Sequence, residues 1–424
     1  MKFDTIALHA GYRKDAANSA ITVPIYQSNA YHYDTAQQAA DRFALKDDGY
    51  IYTRLGNPTS AVLETRMAAL EGGVGALATS SGHAAELIAL LTILSAGDHV
   101  VSSTYIYGGT FNLLSQTLPR YGITTTFVNP DDPENFRRAM KDNTKLFYAE
   151  QLGNPVINVI DVEAISAIAH ENGIPLMIDN TVASPYLYRP IEHGADIVVE
   201  STTKYVGGHG STMGGMIIDG GKFDWEASGK FPMLTQPDPS YHGDIHTKLF
   251  GSAAFIGKAR VSIQRDVGAA PSPMNSFFLI NSLETLSVRM DRIVYNTRKL
   301  IEFLKDHPGV EGITYPEIPE SKYYELAKRD LPKGCSGLFC FDIKGGVEAG
   351  AKFINNLKLF YHASNFADSH SMVSHPASTT HSQMSSEERL SSGLTDGMIR
   401  VSVGLEDIED LKEDLDQAIR AAIK

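Results

Sequence analysis

The chain of 424 residues contains little cysteine, a single tryptophan and no long apolar run. Its two cysteines, Cys335 and Cys340, lie five residues apart in an apolar stretch, which argues against a disulfide framework and against a metal site. The longest apolar stretch, residues 84–96, carries Glu86 and is too short to span a bilayer. Residues 1–7 contain no apolar signal core, so we expect a cytoplasmic location.

Positive charge is also scarce, since 37 lysines and arginines stand against 50 aspartates and glutamates. The net charge of −13 argues against a nucleic-acid or anionic-membrane partner, and we expect a small-molecule ligand instead. A hydrophobic content of 43% and a charged content of 21% are typical of a globular protein. The length is sufficient for two or three domains.

Short apolar runs alternate with helix-like stretches between residue 75 and about residue 220. This alternation predicts a mostly parallel sheet covered on both faces, with ligands at the carboxyl ends of the strands. Asp179 and Glu150 fall at such ends. The predicted strands are residues 76–79, 98–102, 124–128, 145–149, 175–178, 196–199 and 213–218.

The segments on either side follow other patterns. Residues up to about 55 are irregular and typical of an arm, and Asn57-Pro58 predicts the start of a helix. The apolar spacing predicts one long helix near 276–306, followed by an α+β tail. The predicted organisation is an arm at 1–56, a ligand-binding domain at 57–275, a linking helix at 276–306 and a C-terminal domain at 307–424.

Lys204 lies in a run rich in glycine and hydroxyl residues, 25 positions after Asp179. A covalently held pyridoxal phosphate needs these groups, because a lysine supplies the Schiff-base amine and an aspartate pairs with the pyridinium nitrogen. A nucleotide-phosphate loop is excluded, since Thr203 precedes the lysine and Tyr205 follows it. The remaining alternative from the residues alone is a surface lysine beside a flexible loop.

Several other polar residues are candidates for the same site. Ser81, Gly82 and His83 open an apolar helix, whose amides can bind phosphate or can form an ordinary capped start. Ser201 and Thr203 add hydroxyl donors for the same anion.

Three further candidates have more balanced alternatives. Tyr52 and Arg54 can bind a phosphate or lie solvated on the surface, and Tyr107 can stack on a pyridine ring or pack at a loop edge. Arg400 stands in an apolar strand, where it pairs either with a protein carboxylate or, as we favour, with a substrate carboxylate.

The histidines do not predict a metal centre. Their spacing differs from that of metal ligands, and residues 375–381 are predicted to form a structured active-site loop rather than a catalytic centre. The histidines concerned are His209, His370, His375 and His381.

In these motifs the sequence resembles the Cys/Met-metabolism family of pyridoxal-phosphate enzymes over nearly its whole length. The resemblance implies an α/β fold of the aspartate-aminotransferase type (fold type I), with a mostly parallel central sheet, helices on both faces and a smaller α+β C-terminal domain. It rests on residues 52–59, 80–83, 107–110, 153–155, 179–181, 201–204 and 400–407.

Within the family, the chain is most similar to members that replace the acetyl group of O-acetylhomoserine with sulfide, giving homocysteine. This similarity rests on residues 3–11, 43–46, 207–210, 230–235, 238–243 and 375–381. The alternative in the same family is synthesis or γ-lysis of cystathionine. An alternative of another class is a regulator or scaffold that binds the cofactor without turnover.

The resemblance also implies roles for individual residues. Lys204 and Tyr107 would be catalytic, with Tyr107 stacking on the cofactor ring. Tyr52 and Arg54 would reach the phosphate in a neighbouring subunit, with Tyr52 also near substrate, which implies a homo-oligomer, commonly a tetramer. The remaining cofactor contacts would be Ser81, Gly82, His83, Asn154, Asp179, Ser201 and Thr203, and the substrate contacts would be Ser364, Asn365 and Arg400.

Two positions depart from the family pattern. His83 stands where Met or Gln is usual, so its backbone amide can serve while its ring has no assigned place. Ala367 replaces a glycine that is usual in the substrate loop. The shape of that loop is therefore an open question in the sequence.

Overall fold

Two separate β-sheets organise the chain in the computed structural model, which describes residues 1–379 and 394–424. The larger sheet has the strand order β1-β7-β6-β5-β4-β2-β3. Its strands are β1 (Gly75–Thr79), β2 (His99–Ser103), β3 (Thr124–Val128), β4 (Thr144–Glu150), β5 (Leu176–Asp179), β6 (Ile197–Glu200) and β7 (Gly215–Asp219).

Strands β3, β2, β4, β5 and β6 run parallel, which confirms the predicted mostly parallel sheet. Strand β7 is antiparallel to both β6 and β1, because the connection from β6 is a series of turns rather than a crossover helix. Glu150 and Asp179 are register partners at the carboxyl ends of β4 and β5. The sheet therefore brings the two predicted strand-end carboxyls side by side.

The smaller sheet has the order β10-β11-β12-β9-β8 and belongs to the predicted α+β tail. Arg400 lies in the middle of β12, where it is the register partner of Cys340 in β9. The strands are β8 (Val310–Thr314), β9 (Leu338–Ile343), β10 (Tyr361–His362), β11 (Met372–Ser374) and β12 (Met398–Ser402).

Helices cover the sheets and begin where the sequence provides caps. Asn57 accepts from the Thr59 amide at the start of a helix that ends before Gly72, in which φ is +81°. Ser81 accepts from the Ala84 amide at the start of another. The α-helices up to residue 187 are α1 (Phe3–His9), α2 (Ala36–Phe43), α3 (Pro58–Glu71), α4 (Gly82–Ile93), α5 (Gly108–Asn112), α6 (Glu134–Arg138), α7 (Val162–Glu171) and α8 (Ser184–Leu187).

The α-helices that follow include the long pair leading into the smaller sheet. They are α9 (Trp225–Ser228), α10 (Pro232–Thr235), α11 (His246–Phe250), α12 (Ala254–Lys258), α13 (Arg265–Val267), α14 (Pro273–Leu283), α15 (Leu286–Lys305), α16 (Tyr324–Asp330), α17 (Gly346–Asn356) and α18 (Ile408–Ala422). Short π-helices span Leu113–Thr117 and Ala259–Gln264. Turns of 3₁₀-helix span Leu118–Tyr121, Pro190–His193, Pro239–Tyr241, Gly251–Ala253 and Pro376–Ser378.

Two predictions of local structure are wrong. The single helix near 276–306 is two helices, α14 and α15, separated by a turn at 284–285, where the Ser282 carbonyl accepts from the Thr285 amide at 3.2 Å and from the Arg289 guanidinium at 2.8 Å. The arm at 1–56 is not wholly irregular, since it contains α1 and α2. Thr35 caps α2 by accepting from the Gln38 amide. In the described residues, no helix is both long and apolar enough to cross a membrane.

Candidate active site

A cavity of about 280 Å³ lies at the carboxyl ends of the parallel strands, between the two sheets. It gathers most of the predicted site residues from segments far apart in the chain. Its lining residues are Ser81, Gly82, His83, Glu86, Tyr107, Glu150, Asn154, Asp179, Thr181, Val182, Ser201, Thr203, Lys204, Met213, Ser364, Phe366 and Arg400.

Asp179 ends strand β5 with its carboxylate facing this cavity. Its Oδ1 atom accepts from the Thr181 amide at 2.8 Å, and the Thr181 hydroxyl accepts from the Ser201 amide at 2.8 Å. These bonds fix the carboxylate relative to the turn that carries Lys204. Burial raises the pKa of Asp179 because it disfavours the charged carboxylate. A cation placed opposite this carboxylate would favour its ionised form.

Glu150 lies beside Asp179 and anchors a neighbouring loop. Its Oε1 atom accepts from the Tyr107 backbone amide at 2.5 Å. Burial, together with the nearby Asp179 charge, raises the pKa of the Glu150 carboxyl well above its usual range. This residue therefore positions the start of α5, which carries the Tyr107 ring into the cavity.

Glu86 is a site residue that the sequence analysis did not assign. It projects from the apolar helix α4, and its Oε1 atom accepts from the Thr110 hydroxyl at 2.9 Å. Burial and the Asp179 charge raise the pKa of Glu86 to about 8. The available signal was a carboxylate within an apolar helix, because such a group is rarely buried without a function.

Lys204 extends its amine into the cavity. The Nζ atom donates to Asn365 Oδ1 at 2.5 Å and lies 4.7 Å from the centre of the Phe366 ring. Burial, together with the Arg400 charge, lowers the pKa of Lys204 to about 8. A substantial fraction of the amine is therefore neutral near pH 8, as a nucleophile or base requires.

Arg400 enters the cavity from strand β12 without a carboxylate partner among the described residues. Its Nη1 atom donates to Asn154 Oδ1 at 3.1 Å and its Nη2 atom donates to the Asn365 carbonyl at 3.0 Å. The Nε atom is buried and makes no hydrogen bond in this part of the chain. An unsatisfied donor on a cation beside a cavity favours an anionic ligand.

The predicted phosphate residues form a close-fitting cradle. A Cβ atom on Gly82 would lie 2.7 Å from the Ser201 Cβ atom, so only glycine fits here. The first amides of the twelve-residue helix α4 point toward this place. Thr203 closes the cradle, with its hydroxyl accepting from the Gly214 amide at 3.1 Å.

Not every predicted site residue reaches this cavity. Tyr52 and Arg54 are absent from its lining, and the Arg54 guanidinium donates to the Arg265 carbonyl of its own chain. Asn365 takes part through its contacts with Lys204 and Arg400. The His83 ring lines the cavity in edge-to-face contact with Tyr107, with ring centres 5.6 Å apart.

The remaining histidines lie elsewhere. His209 packs against the Gly207 carbonyl at 2.6 Å and His370 against Asp368 at 3.0 Å. His375 is buried and contacts Ser378 at 2.8 Å. In the predicted loop at 375–381, the last two residues, Thr380 and His381, lie outside the described residues.

A lysine and an aspartate at the carboxyl edge of such a sheet, with a smaller α+β unit above them, define an aspartate-aminotransferase-type (fold type I) enzyme of pyridoxal phosphate. The chain belongs to the family of Cys/Met metabolism PLP-dependent enzymes, which it matches over residues 4–420. It is 50% identical to an O-acetyl-L-homoserine sulfhydrylase of Leptospira meyeri, with coverage of 99% of this chain and 97% of that protein.

Other relatives cover the chain equally fully. A homocysteine synthase of Schizosaccharomyces pombe is 46% identical over 99% of this chain and 98% of its own. A Campylobacter jejuni structure described as an O-acetylhomoserine (thiol)-lyase, with N'-pyridoxyl-lysine-5'-monophosphate, has a TM-score of 0.94. It is 40% identical and covers 99% of this chain and all of its own.

The residues of the cavity fit pyridoxal 5'-phosphate. Lys204 offers an amine whose pKa is lowered to about 8, and the start of helix α4 lines the cavity beside the hydroxyls of Ser201 and Thr203, which suits an anion. Glu86, Glu150 and Asp179 form an acidic wall of the cavity, which suits a cationic ring nitrogen. The cavity thus provides separate places for the aldehyde carbon, the phosphate and the ring nitrogen of this cofactor.

Proposed function

We propose that the protein converts O-acetylhomoserine and sulfide to homocysteine and acetate by γ-replacement, a step of methionine biosynthesis. The carrying observation is that Lys204 and Arg400, whose guanidinium has no carboxylate partner among the described residues, line one cavity together with the acidic wall. That arrangement suits a small amino acid that is deprotonated at its α-carbon. The relatives named above narrow the amino acid to O-acetylhomoserine.

When bound, pyridoxal phosphate supplies an electron sink for the α-carbon of an amino acid. Lys204 Nζ would carry one proton at a time: it takes the α-proton, gives that proton up to the bound cofactor, and only then takes a β-proton of the substrate, so that acetate leaves from the γ-carbon. Sulfide adds at the same carbon, and Lys204 returns the protons. One acetate leaves the γ-carbon for each hydrosulfide that adds to it.

The other residues orient the substrate and the charge. Arg400 would bind the α-carboxylate through its guanidinium, which Asn154 and Asn365 hold in place. Asp179 would stabilise positive charge on the cofactor ring, and Tyr107, on the loop anchored by Glu150, would help to hold that ring. We expect Ser364 to contact the substrate beside Arg400, since both residues line the same cavity.

The reaction is tested by supplying O-acetylhomoserine with either sulfide or cysteine and quantifying the products. We expect homocysteine to form with sulfide much faster than cystathionine forms with cysteine. Predominant cystathionine formation would instead favour the alternative reaction. O-succinylhomoserine in place of the acetyl ester reports the leaving-group preference.

Cleavage of cystathionine is a second candidate, because a solved structure similar to this chain is named for that reaction. A cystathionine γ-lyase of Lactobacillus plantarum, solved with L-serine, is 30% identical, covers all of both chains and has a TM-score of 0.85. Incubation with cystathionine alone would reveal this activity as release of a keto acid and ammonia. The higher identity of the sulfhydrylase relatives favours γ-replacement.

We further propose that Tyr52 and Arg54 act in a neighbouring subunit of a homo-oligomer, expected to be a tetramer, in the cytoplasm. In support, Tyr52 is 40% exposed and neither residue lines the cavity of its own chain. Mixing Lys204→Ala and Arg54→Ala proteins should restore activity through hybrid interfaces that pair two native residues. Light scattering gives the subunit number, and cell fractionation tests the location.

A further inference from the structure

The turn that carries Lys204 rests on the break between helices α14 and α15. Arg289, from the first turn of α15, is 5% exposed and points back toward this turn. Its Nη1 atom donates to the Tyr205 carbonyl at 2.7 Å and its Nη2 atom donates to the Val206 carbonyl at 3.3 Å. These carbonyls follow Lys204 directly in the chain.

The same guanidinium also holds the helix break open. Arg289 Nη2 donates to the Ser282 carbonyl at 2.8 Å, a group that a continuous helix would use internally. No carboxylate pairs with Arg289 in the described residues, so backbone carbonyls are its main partners. Burial lowers the pKa of Arg289 to about 10.

Two other features depend on this arrangement. A Cβ atom on Gly208 would lie 2.0 Å from Arg289 Nη1, so the glycine leaves space for the guanidinium. The Gly208 amide in turn donates to the Lys204 carbonyl at 2.6 Å. A second contact joins the same elements, between Ser282 Oγ and His209 Nδ1 at 3.1 Å.

We propose that Arg289 is a positioning residue, which fixes the Lys204 backbone against the helix break and so aims the amine into the cavity. Three carbonyls from two segments converge on one planar fork, and a fork resists rotation better than a single bond. Lysine at this position would keep the charge but lose the fork. The proposal rests on Lys204 as the cofactor lysine and requires no particular substrate.

The chain provides a matched control in Arg66, which is 1% exposed and also lies beside the break. Arg66 donates to the Leu8 and Ala10 carbonyls and pairs with Glu284 at 2.9 Å. Among the described residues its hydrogen-bond and ion-pair partners lie outside the Lys204 turn, so Arg66→Met removes a buried guanidinium that does not bond to that turn. Loss of stability alone should be similar for Arg66→Met and Arg289→Met.

The first measurement uses the cofactor-free full-length proteins and hydrogen exchange of the amides at 204–208. We expect Arg289→Met to lower their protection about tenfold or more, while Arg66→Met leaves it near the native value. Arg289→Lys should fall between the native protein and Arg289→Met. Equal loss in Arg66→Met and Arg289→Met would overturn the proposal, because it would indicate general destabilisation.

The second measurement uses the holoenzymes. Arg289→Met should shift the absorbance of the lysine-bound cofactor and lower kcat by about tenfold or more, with little change in KM, since Arg289 does not line the cavity. An unchanged spectrum and unchanged kcat would overturn the positioning role. If O-acetylhomoserine is not turned over at all, the exchange and absorbance differences between the two variants still decide this proposal separately.

Discussion

The two walls of the cavity differ in chemistry, with carboxyl groups on one and a guanidinium on the other, and are built in different ways. The wall formed by the larger sheet and helix α4 presents the buried carboxyls of Glu86 and Glu150 and the half-buried carboxyl of Asp179. The wall formed by the C-terminal part presents Arg400 with Asn365. This difference indicates two separate binding roles: the carboxyl wall suits a cationic ring, and the Arg400 wall suits an anionic substrate.

The walls also differ in backbone. The acidic residues lie at strand ends and on helix α4, where sheet register and helix geometry fix them. The opposite wall includes the irregular segment 363–371, in which Ala367 adopts a left-handed conformation with φ of +64°. Regular elements thus position the acidic wall, whereas a loop positions part of the wall that is expected to bind the substrate.

The largest effect is expected where the two walls meet, at Lys204. Lys204→Ala removes the amine that transfers protons and should lower kcat by about 10³-fold or more. Lys204→Arg is the matched control, because arginine keeps a positive charge between the walls but stays protonated. Steady-state kinetics with O-acetylhomoserine and sulfide measures both, and high activity in Lys204→Arg would contradict a proton-transfer role.

A change confined to the basic wall should affect substrate binding more than turnover. Arg400→Lys keeps the charge but loses the fork that can hold a carboxylate while contacting Asn154 and Asn365. We expect KM for the amino-acid substrate to rise about 10- to 100-fold, with a smaller change in kcat. The affinity for pyridoxal phosphate should stay near the native value, and a parallel loss of cofactor would contradict the division between walls.

A change in the acidic wall should appear as pH dependence of stability. Burial raises the pKa of Glu86 from 4.5 to about 8, so between these values the folded chain keeps a proton that the unfolded chain releases. This group therefore destabilises the fold increasingly as pH rises from 4.5 to 8. Glu86→Gln cannot ionise, so its Tm relative to the native protein should rise from pH 5 to pH 8.

The Glu86 comparison is made on cofactor-free protein by thermal unfolding at several pH values. Glu86→Gln also removes a charge that raises the pKa of Glu150, so the difference between the two proteins reports Glu86 together with this neighbour. Glu413→Gln on the exposed face of α18 is the control and should give a difference that does not change with pH. A constant difference for Glu86→Gln as well would mean that Glu86 is ionised in the fold.

The acidic wall was largely accessible to sequence reasoning. Asp179 and Glu150 end strands, and parallel strand ends meet at one edge, so their juxtaposition follows from the alternation pattern. Lys204 and Arg400 were predicted from residue type and context, and the structure brings them to one cavity. Glu86 was noticed only as an interruption of an apolar run, because helix rotation decides whether it faces the site.

What the sequence could not supply depends on contacts between distant segments. The break between α14 and α15 lies beside Arg289, whose partners at 205 and 206 are more than 80 positions away. Apolar periodicity continues through residues 276–306 and therefore predicted one helix. The arm at 1–56 was predicted as irregular because its helices are short, with Thr35 capping α2 as the available signal.

The smallest effect is expected in the loop of the basic wall, at Ala367. Its φ of +64° costs an alanine about 1–2 kcal/mol, which glycine avoids. Against this gain, glycine loses a buried methyl group, about 0.8 kcal/mol, and adds unfolded-chain entropy, about 0.4–1 kcal/mol. Ala367→Gly should therefore change the free energy of unfolding by less than about 1 kcal/mol in either direction.

Ala418 provides the comparison for Ala367, since it is fully buried in helix α18 of the same part of the chain. Ala418→Gly has no strain to relieve and should lose about 2 kcal/mol from helix propensity and the methyl group together. Urea unfolding of the cofactor-free proteins measures the difference. An equal loss in both variants would show that Ala367 is unstrained, and the loop would then owe its shape to the hydrogen bond from the Ala367 amide to Ser402 Oγ at 2.9 Å.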